Sequence, residues 1–572
     1  MNNGKKNGKM HIVGGILGIM SGKEKGKIAL LAVLGLLRSL AETVSTGAVL
    51  PYMYVLLDPD RASGLPVLRG LSRAAGGDGM KFILWSTLLF LALYALRCAY
   101  LVFYDYVDGR IIRRISSDCS VRLFQWYLAR PYEYFFRKNT SLLQRNVSSV
   151  ISCLMQGVIS NGLYLVSGGL TVVLLLGFMV FSGVPGLLPA ALGLGILYFL
   201  LSRDVKKRAG AIAGEANRHS KNLHRTVMEC FRGIKDFKLS GDGGNITGYV
   251  SGEYDAANAL WARRRLVGSI PSQILELGTV AILAVILIGG YRSGGMEESL
   301  AQLSLCGASA IRIRAALSGI LGRITAIRDN SAFYEDIIDD IRASVQGESS
   351  AAGEEPVKFD ECIEIRDLSY RYPNTETDIF RGFDLVIRKG ESVGISGHSG
   401  RGKTTLADLL TGLIEPDAGE ILIDGVPLKG REESWRKIVG YVPQEIFLID
   451  GTVLDNIAFY EPAEKVDRER ARKALRTAQI LDFVDSLPAG EDSRIGENGI
   501  LLSGGQRQRI GIARALYRNP QVLLFDEATN SLDSDTEKAF MDTIGSLQAD
   551  YTTIVISHSK ETLERCGRTV EL

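Results

Sequence analysis

The 572-residue chain carries 66 Lys and Arg against 64 Asp and Glu, and 46% of its residues are hydrophobic, with a mean hydropathy of +0.11. This length exceeds one ordinary hydrophobic core, and the hydropathy is high for a soluble protein of this size. The net charge of +2 gives no indication of a nucleic-acid partner, and none is expected. Seven scattered cysteines without a C-x-x-C pair predict free thiols and argue against a disulfide framework or a zinc site.

The N-terminal segment has lysines on both sides of a short apolar stretch at residues 11–20. The apolar stretch is brief, and no small-residue cleavage site follows it before the next lysines. Residues 1–27 are therefore predicted to form an amphipathic elbow on the cytoplasmic face of a membrane and not a signal peptide.

A membrane domain is predicted over residues 28–341. Residues 147–202 contain no Asp, Glu, Lys or Arg, and a Gly-Pro-Gly cluster near residue 185 divides them into two segments of about the 20 residues that a bilayer requires. Four more apolar segments make an all-α domain of six spanning helices. They are residues 28–57, 80–104, 266–291 and 300–327.

The distribution of charge predicts the orientation. Residues 106–145 carry eight Lys or Arg against three acids, and residues 203–265 carry thirteen against seven. Both stretches are therefore placed in the cytoplasm, together with both termini, in a multi-pass protein of the cytoplasmic (inner) membrane. Their composition is helical, which predicts that the spanning helices extend beyond the bilayer. Breaks near 130–138 and 232–242 suit short crosswise helices that dock on another domain.

Several charges lie inside the apolar segments. Because a mid-bilayer arginine costs at least about 2.5 kcal/mol, each must find a partner or a wet cavity. Pairing is one interpretation for Arg38 with Glu42, one helical turn apart, and for Glu276 with an arginine. The basic residues outnumber these acids, which indicates an anionic ligand. The candidate substrate residues are Arg97, Arg312 and Arg314, and only one of the last two is expected to line a cavity, since they occupy different helix faces.

A small, acidic linker is predicted at residues 342–356, and residues 357–572 alternate short apolar strands with helices, as an α/β domain does. Residues 397–405 read GHSGRGKTT between a predicted strand and a predicted helix. This G-x-x-x-x-G-K-[ST] pattern places backbone N–H groups and a helix N-terminus around phosphate. Lys403 is predicted to pair with the β- and γ-phosphates, and the Thr404 hydroxyl to bind Mg²⁺.

Two further motifs follow in order. VLLFDE, residues 522–527, is an apolar strand that ends in two carboxylates, Asp526 for the metal and Glu527 for the attacking water. LSGGQ, residues 502–506, precedes a basic amphipathic helix and offers a second anion-binding helix end. Since one phosphate loop is already present, this helix end is predicted to serve a nucleotide held by another copy.

Together these motifs resemble those of ABC transporters of the export-type half-transporter kind, from about residue 28 to the end. The resemblance implies that Tyr372 stacks on adenine, with Tyr370 as the second choice, that Gln444 contacts Mg²⁺, and that His558 contacts the γ-phosphate. It also implies that residues 496–499 reach the intracellular helices and that residues 530–533 meet a second subunit. The implied catalytic residues are Glu527, His558 and Lys403, and the implied metal ligands are Thr404, Gln444 and Asp526. The implied ATP-binding residues are Tyr372, Gly397, His398, Ser399, Gly400, Arg401, Gly402, Lys403, Thr404, Thr405, Gln444, Ser503, Gly504, Gly505, Gln506 and Asp526.

The resemblance further implies ATP hydrolysis with Mg²⁺ that drives alternating access in a pair of copies. Intact motifs favour a homodimer over a heterodimer with one degenerate site. The membrane half resembles PglK-like lipid-linked oligosaccharide flippases, through residues 41–60, 145–151, 229–241 and 270–278. The expected cargo is an amphipathic anion such as a polyprenyl-pyrophosphate glycan, and the alternative is a peptide or drug. Soluble ABC ATPases are excluded by residues 147–202, and a gated channel is disfavoured by the intact Glu527.

Overall fold

The computed structural model describes residues 15–572, apart from 17, 19, 67, 139, 182–186, 242, 294–295, 332–333, 347–355, 374, 376, 399, 497–498, 528–541, 543–544, 546 and 548–549. The chain forms two compact units. The helical unit comprises residues 1–125 and 144–347, and the sheet unit comprises residues 126–143 and 348–572. The segment 126–143, from within the predicted membrane domain, thus packs with the sheet unit. The exact domain limits stay a prediction, and most of the predicted linker lies outside the described residues.

The helical unit is built from long helices joined by short ones. Two π-helical turns, Asn146–Val150 and Met155–Ser160, flank the short helix Ile151–Leu154. The α-helices are Gly22–Gly47, Val49–Leu57, Pro59–Gly64, Arg69–Ala74, Gly79–Leu128, Thr140–Arg145, Ile151–Leu154, Asn161–Phe181, Leu187–Arg232, Ile234–Ser240, Gly243–Ser293, Met296–Ser331 and Tyr334–Gln346.

The first long helix begins earlier than the predicted elbow boundary. Ser21 caps it: the Ser21 hydroxyl accepts from the Glu24 N–H at 3.3 Å, and the Glu24 carboxylate accepts from the Ser21 N–H at 2.7 Å. Such a capping box satisfies two free N–H groups at the helix start. Residues 22–27 of the predicted elbow therefore form the start of this helix, while residues 1–14 lie outside the described part of the chain.

Among the residues that the structure describes, three helical stretches have the length and apolarity to cross a membrane: Gly22–Leu57, Gly79–Leu128 and Thr140–Phe181. The six-span count stays a prediction. The helix Gly79–Leu128 has 50 residues, or about 75 Å at 1.5 Å per residue, against a hydrocarbon core of about 30 Å. A helix of this length must continue well outside a bilayer. Short helices, Glu133–Arg137 and Ile234–Ser240, occupy the two predicted breaks.

The described strands of the sheet unit are β1 Cys362–Tyr370, β2 Phe380–Arg388, β3 Ser392–Ser396, β4 Ala418–Ile423, β5 Val426–Pro427, β6 Val439–Val442, β7 Val522–Asp526, β8 Thr552–Ile556 and β9 Arg568–Glu571. They form two sheets. One is antiparallel in the order β2-β1-β4-β5, and the other is parallel in the order β6-β7-β8-β3-β9. The helices are Glu133–Arg137, Lys403–Leu410, Glu432–Arg436, Val453–Ala458, Arg468–Thr477, Leu481–Ser486, Gly504–Tyr517 and Lys560–Glu564, with a 3-10 turn at Gly490–Asp492.

The parallel sheet positions the candidate site. Every residue of β7 and β8 is buried, as expected for parallel strands that are covered on both faces. Strands β7, β8 and β3 are neighbours, so their carboxyl ends lie side by side. These ends lead into Glu527, into His558 and into the glycine-rich loop before Lys403. The fold therefore brings together three motifs that are far apart in the sequence.

Candidate functional site

The glycine-rich loop after β3 turns sharply into the helix Lys403–Leu410. Gly400 and Gly402 have φ angles of +82° and +92°, a region that side chains rarely adopt. A Cβ on Gly402 would also lie 2.3 Å from the Ile379 side chain. The loop therefore requires glycine at this position. It ends at a helix N-terminus, where free N–H groups and the helix dipole favour phosphate.

Lys403 is buried, with 5% of its side chain exposed. Its ammonium group donates to the Gly397 carbonyl at 3.1 Å, lies 3.2 Å from a Glu527 carboxylate oxygen and lies 2.7 Å from the His558 Nε2. A buried ammonium needs such partners because desolvation is costly. The three residues predicted to be catalytic therefore meet at one point.

Glu527 is the centre of this cluster. Its Oε1 lies 2.9 Å from the His558 Nε2, and its Oε2 accepts a hydrogen bond from the Gln444 side-chain amide at 3.1 Å. Its φ of +46° is unfavourable for a residue with a side chain, and such strain concentrates at functional sites. The chain thus holds Glu527 in a strained backbone position at the end of β7.

Asp526, the residue before it, is only 1% exposed. The Tyr441 hydroxyl donates a hydrogen bond to its Oδ2 at 3.3 Å. Oδ1 is buried and has no hydrogen-bond partner among the described residues. Burial raises the pKa of Asp526, and the nearby hydroxyls of Thr404 and Tyr441 oppose this rise by stabilising the charged form.

The donor set fits a magnesium ion. Mg²⁺ prefers oxygen ligands, commonly one or two carboxylates beside phosphate oxygens. The buried oxygen of Asp526 and the nearby hydroxyl of Thr404 are of this kind, and Gln444 lies within hydrogen-bond distance of Glu527 in the same cluster. These three residues would hold the ion.

The predicted adenine residue, Tyr372, lies beside the loop. Its hydroxyl is 2.9 Å from the Thr405 hydroxyl, and its ring contacts Tyr370 and Phe136, with ring centroids 5.4 and 5.7 Å apart. Tyr370 is buried, with 3% exposure, whereas Tyr372 is half-buried. An aromatic ring that stacks on a base needs a free face, so the burial of Tyr370 favours Tyr372.

LSGGQ forms the start of the helix Gly504–Tyr517. The Ser503 hydroxyl accepts from the Gln506 N–H at 3.2 Å, and the Gln506 side chain accepts from the Ser503 N–H at 2.9 Å. Across the described part of the chain, no hydrogen bond or ion pair joins residues 503–506 to residues 397–405. The capping hydrogen bonds of this helix end therefore lie within residues 503–506.

The remaining predicted site residues are exposed, lie against the last residue of the sheet unit or lie outside the described residues. His398 and Arg401 are exposed, and Gly397 lies against Leu572. Ser399 and residues 530–533 lie outside the described residues, as do positions 497–498 of the predicted crossing segment.

In the helical unit the predicted charges separate into two groups. Arg38 lies 3.5 Å from Glu42 and 3.0 Å from Asp105, and its guanidinium lies over the rings of Tyr104 and Tyr164. Glu276 forms an ion pair with Arg314. The pairing interpretation is therefore confirmed for Arg38 and Glu42, and for Glu276 with an arginine.

Arg97 differs from these. Its Nε is buried without a hydrogen-bond partner, and no described residue forms an ion pair with it. It interacts electrostatically with Arg312, a charge of the same sign, and with Glu42, which Arg38 already engages. Arg97 and Arg312 thus form the group with surplus positive charge, whereas the charge of Arg314 is balanced.

Sequence reasoning missed four residues that take part in these clusters. Asp105 and Arg323 join the Arg38 cluster, where Arg323 lies 3.8 Å over the Tyr164 ring. Tyr441 and Asp408 lie near Asp526. The missed signals were an aspartate one residue beyond the apolar segment 80–104, and a tyrosine three residues before Gln444.

Comparison with known proteins decides the family. The sequence model described as ABC transporter matches residues 380–530. An ATP-dependent lipid A-core flippase of Alkalilimnicola ehrlichii is 30% identical over 82% of this chain and 79% of that protein. One from Thiobacillus denitrificans is 28% identical over 98% of this chain and 93% of that protein.

The chain belongs to the ABC transporters. It is an export-type half-transporter: a membrane protein whose ATPase domain hydrolyses ATP and couples hydrolysis to transport. The fold agrees with that of a bacterial Atm1-family ABC exporter with ATP bound, with a TM-score of 0.70 and 23% identity over 96% of this chain and 93% of that one. The resemblance inferred from the sequence motifs is thus confirmed for the family and for ATP hydrolysis.

Proposed function

We propose that the transporter works as a homodimer in the cytoplasmic membrane and flips an anionic, amphipathic lipid-linked substrate across it, with the ATPase domains in the cytoplasm. A polyprenyl-pyrophosphate glycan, a lipid-linked oligosaccharide in the broad sense, is the expected cargo. The names of the flippase relatives support a lipid substrate. The basic stretches at 106–145 and 203–265 support the orientation.

The observation that carries the substrate proposal is the surplus charge at Arg97 and Arg312. In an apolar helix, an arginine without a counter-charge is retained at a cost unless a ligand or water neutralises it. A phosphate or pyrophosphate group suits a pair of guanidinium groups, which form bidentate hydrogen bonds with its oxygens. Arg314 is removed from the candidate set because Glu276 neutralises it.

The ATPase mechanism follows from the cluster in the sheet unit. Lys403 and the N–H groups of the loop bind the β- and γ-phosphates of ATP, and Tyr372 stacks on its adenine. Glu527 accepts a hydrogen bond from the attacking water, and His558 contacts the γ-phosphate. Thr404, Asp526 and Gln444 would hold Mg²⁺, which would neutralise charge on the phosphates. Lys403 must first exchange its contacts with Glu527 and His558 for phosphate oxygens.

The dimer proposal is supported by a second anion-binding helix end, at Ser503, that no described hydrogen bond or ion pair joins to the phosphate loop. A second copy would place its Ser503, Gly504 and Gly505 against the γ-phosphate bound by Lys403. Two inactive variants, Lys403→Ala and Ser503→Ala, should then complement each other. In a mixed dimer both lesions fall in one site and the other site is intact, so ATPase activity should reappear on co-expression. Activity that stays absent in purified mixed dimers would contradict shared sites.

The substrate is tested with the full chain in liposomes. We expect a polyprenyl-pyrophosphate glycan to stimulate ATP hydrolysis, and the uncharged polyprenol not to do so. Arg97→Gln and Arg312→Gln should each raise the half-maximal concentration about tenfold, since one charged hydrogen bond contributes about 1.5 kcal/mol. Arg314→Gln serves as the comparison and should shift it little. Stimulation by a peptide or a drug but not by the polyprenyl-pyrophosphate glycan would favour the alternative exporter function instead.

A further inference from the structure

Tyr441 has no role in the scheme above, yet it reaches the metal-binding carboxylate. It lies on β6, which pairs in parallel with β7 in the register Tyr441 to Leu524 and Val442 to Phe525. From this neighbouring strand the Tyr441 hydroxyl contacts the Asp526 Oδ2 at 3.3 Å. β6 is an edge strand of the parallel sheet, and Gln444 follows it by two residues. One short segment therefore supplies two groups to the site.

The two oxygens of Asp526 are not equivalent. Oδ2 accepts from Tyr441, whereas Oδ1 is buried without a partner in the described part of the chain. A buried carboxylate oxygen without a donor is energetically unfavourable. This unfavourable arrangement is kept at Oδ1, while the Tyr441 hydroxyl on β6 holds the other oxygen, Oδ2. The geometry keeps one oxygen fixed and leaves the other available.

We propose that Tyr441 is a positioning residue for magnesium: its hydroxyl orients the Asp526 carboxylate so that Oδ1 stays free to bind the ion. The inference rests on the proposed metal role of Asp526 and deepens it. Carboxylates that bind metals are generally held by outer hydrogen bonds, and loss of such a partner typically costs about 10- to 100-fold in metal affinity. The 3.3 Å contact is longer than an ordinary O–H···O bond, so it orients the carboxylate and withdraws little of its charge.

The test is Mn²⁺ binding to the purified full-length protein with ADP, measured by electron paramagnetic resonance of free Mn²⁺. We expect Tyr441→Phe to weaken Mn²⁺ binding about tenfold. ADP affinity in the presence of EDTA, and the Tm, should be those of the wild type. Tyr551→Phe is the matched control, because Tyr551 is a half-buried tyrosine beside β8 that has no described hydrogen bond to its hydroxyl. It should leave Mn²⁺ binding unchanged.

Each other outcome overturns the proposal in a recognisable way. Mn²⁺ affinity of Tyr441→Phe within twofold of the wild type would show that the hydroxyl does not position the carboxylate. Equal losses of Mn²⁺ affinity and of metal-free ADP affinity would assign Tyr441 a structural role in β6. Wild-type protein that binds ADP but no Mn²⁺ would remove the metal site itself, which separates failure of the proposed function from failure of this inference.

Discussion

The sheet unit and the helical unit both bury positive charge, but they treat it differently. Lys403 is surrounded by groups that the chain itself supplies, the carboxylate of Glu527, the imidazole of His558 and the carbonyl of Gly397. Arg97 has no hydrogen bond or ion pair to any described residue and lies near a second arginine, Arg312. Nucleotide phosphate must therefore replace internal partners, whereas an anion near Arg97 would satisfy a group that lacks one.

Arg38 provides the reference within the helical unit itself. It belongs to the first long helix and has two carboxylate partners and two aromatic rings around it. An arginine needed only for structure in an apolar helix thus acquires a full set of partners. The contrast with Arg97 shows that the surplus charge is a feature of one place and not a general property of the unit.

The largest effect is expected from a substitution in the Lys403 cluster. Glu527→Gln should lower ATP hydrolysis by about 10²- to 10⁴-fold, because the hydrogen-bond acceptor for the attacking water loses its charge. ATP affinity should not fall and is expected to rise, since Lys403 loses an internal competitor for the phosphates. Steady-state hydrolysis and binding of a fluorescent ATP analogue measure the two quantities.

Glu469→Gln is the control, since Glu469 is an exposed glutamate in the helix Arg468–Thr477 of the same unit. It should leave both quantities at wild-type values. Unchanged hydrolysis in Glu527→Gln would remove Glu527 from the mechanism. A parallel loss of ATP binding would show that its contact with Lys403 holds the site open instead of competing with nucleotide.

The next largest effect is expected from a substitution in the Arg38 cluster. Arg38→Ala leaves Glu42 and Asp105 without this cation, and removal of one partner from a buried ion pair costs about 3–5 kcal/mol. Arg38 is 20% exposed and Asp105 is 57% exposed, so the loss should be smaller, about 2 kcal/mol. A lower Tm of the full chain in detergent is expected. Arg113→Ala, at an exposed arginine of the helix Gly79–Leu128, should leave the Tm unchanged.

A smaller effect concerns negative charge beside the nucleotide site. Burial, and then the charge of Asp526, raises the pKa of Asp408 to about 6. A carboxyl whose pKa is higher in the folded state destabilises the fold once it is ionised, so the penalty develops between about pH 4 and pH 6 and persists above. Asp408→Asn should therefore stabilise the protein by about 1 kcal/mol near pH 7.5, after allowance for partial exposure.

Thermal unfolding of Asp408→Asn and of the wild type at both ends of this pH window measures the difference. The gain in Tm should shrink as the pH falls toward about 4, where Asp408 of the folded wild type is protonated and therefore as neutral as the asparagine of the variant. Asp482→Asn is a suitable control at an exposed carboxyl in the first turn of the helix Leu481–Ser486. A gain that is the same at both pH values would contradict a titration of Asp408.

Much of the site could be predicted from the sequence because its motifs are local. The strand before the phosphate loop, the helix after it and the strand ending at Asp526 follow from short apolar runs and glycines, and the structure contains each of them. The early start of the first helix was missed although Ser21 and Glu24 carry a capping signal. Patterns over a few residues are therefore sufficient for elements, though not for all their limits.

The contacts could not be predicted, because they join residues far apart in the chain. Arg38 and Asp105 are 67 positions apart, and Tyr441 and Asp526 are 85 apart. The Arg38 to Glu42 pair was predicted because the two residues are one helical turn apart. The position of Glu276 on another helix determines whether Arg312 or Arg314 is neutralised. The sequence alone therefore left both arginines as candidates.

The smallest expected effect sharpens the difference between Arg38 and Arg97. Since Arg97 forms no described hydrogen bond or ion pair, Arg97→Gln removes the repulsion from Arg312 and a smaller attraction to Glu42. The free energy of unfolding should change by less than about 0.5 kcal/mol, or increase, and the Tm should not fall. A fall as large as that of Arg38→Ala would show that Arg97 has a structural partner and would remove the basis of the substrate proposal. An unchanged Tm with a lost response to the pyrophosphate lipid would instead show that the ligand, and not the fold, uses this charge.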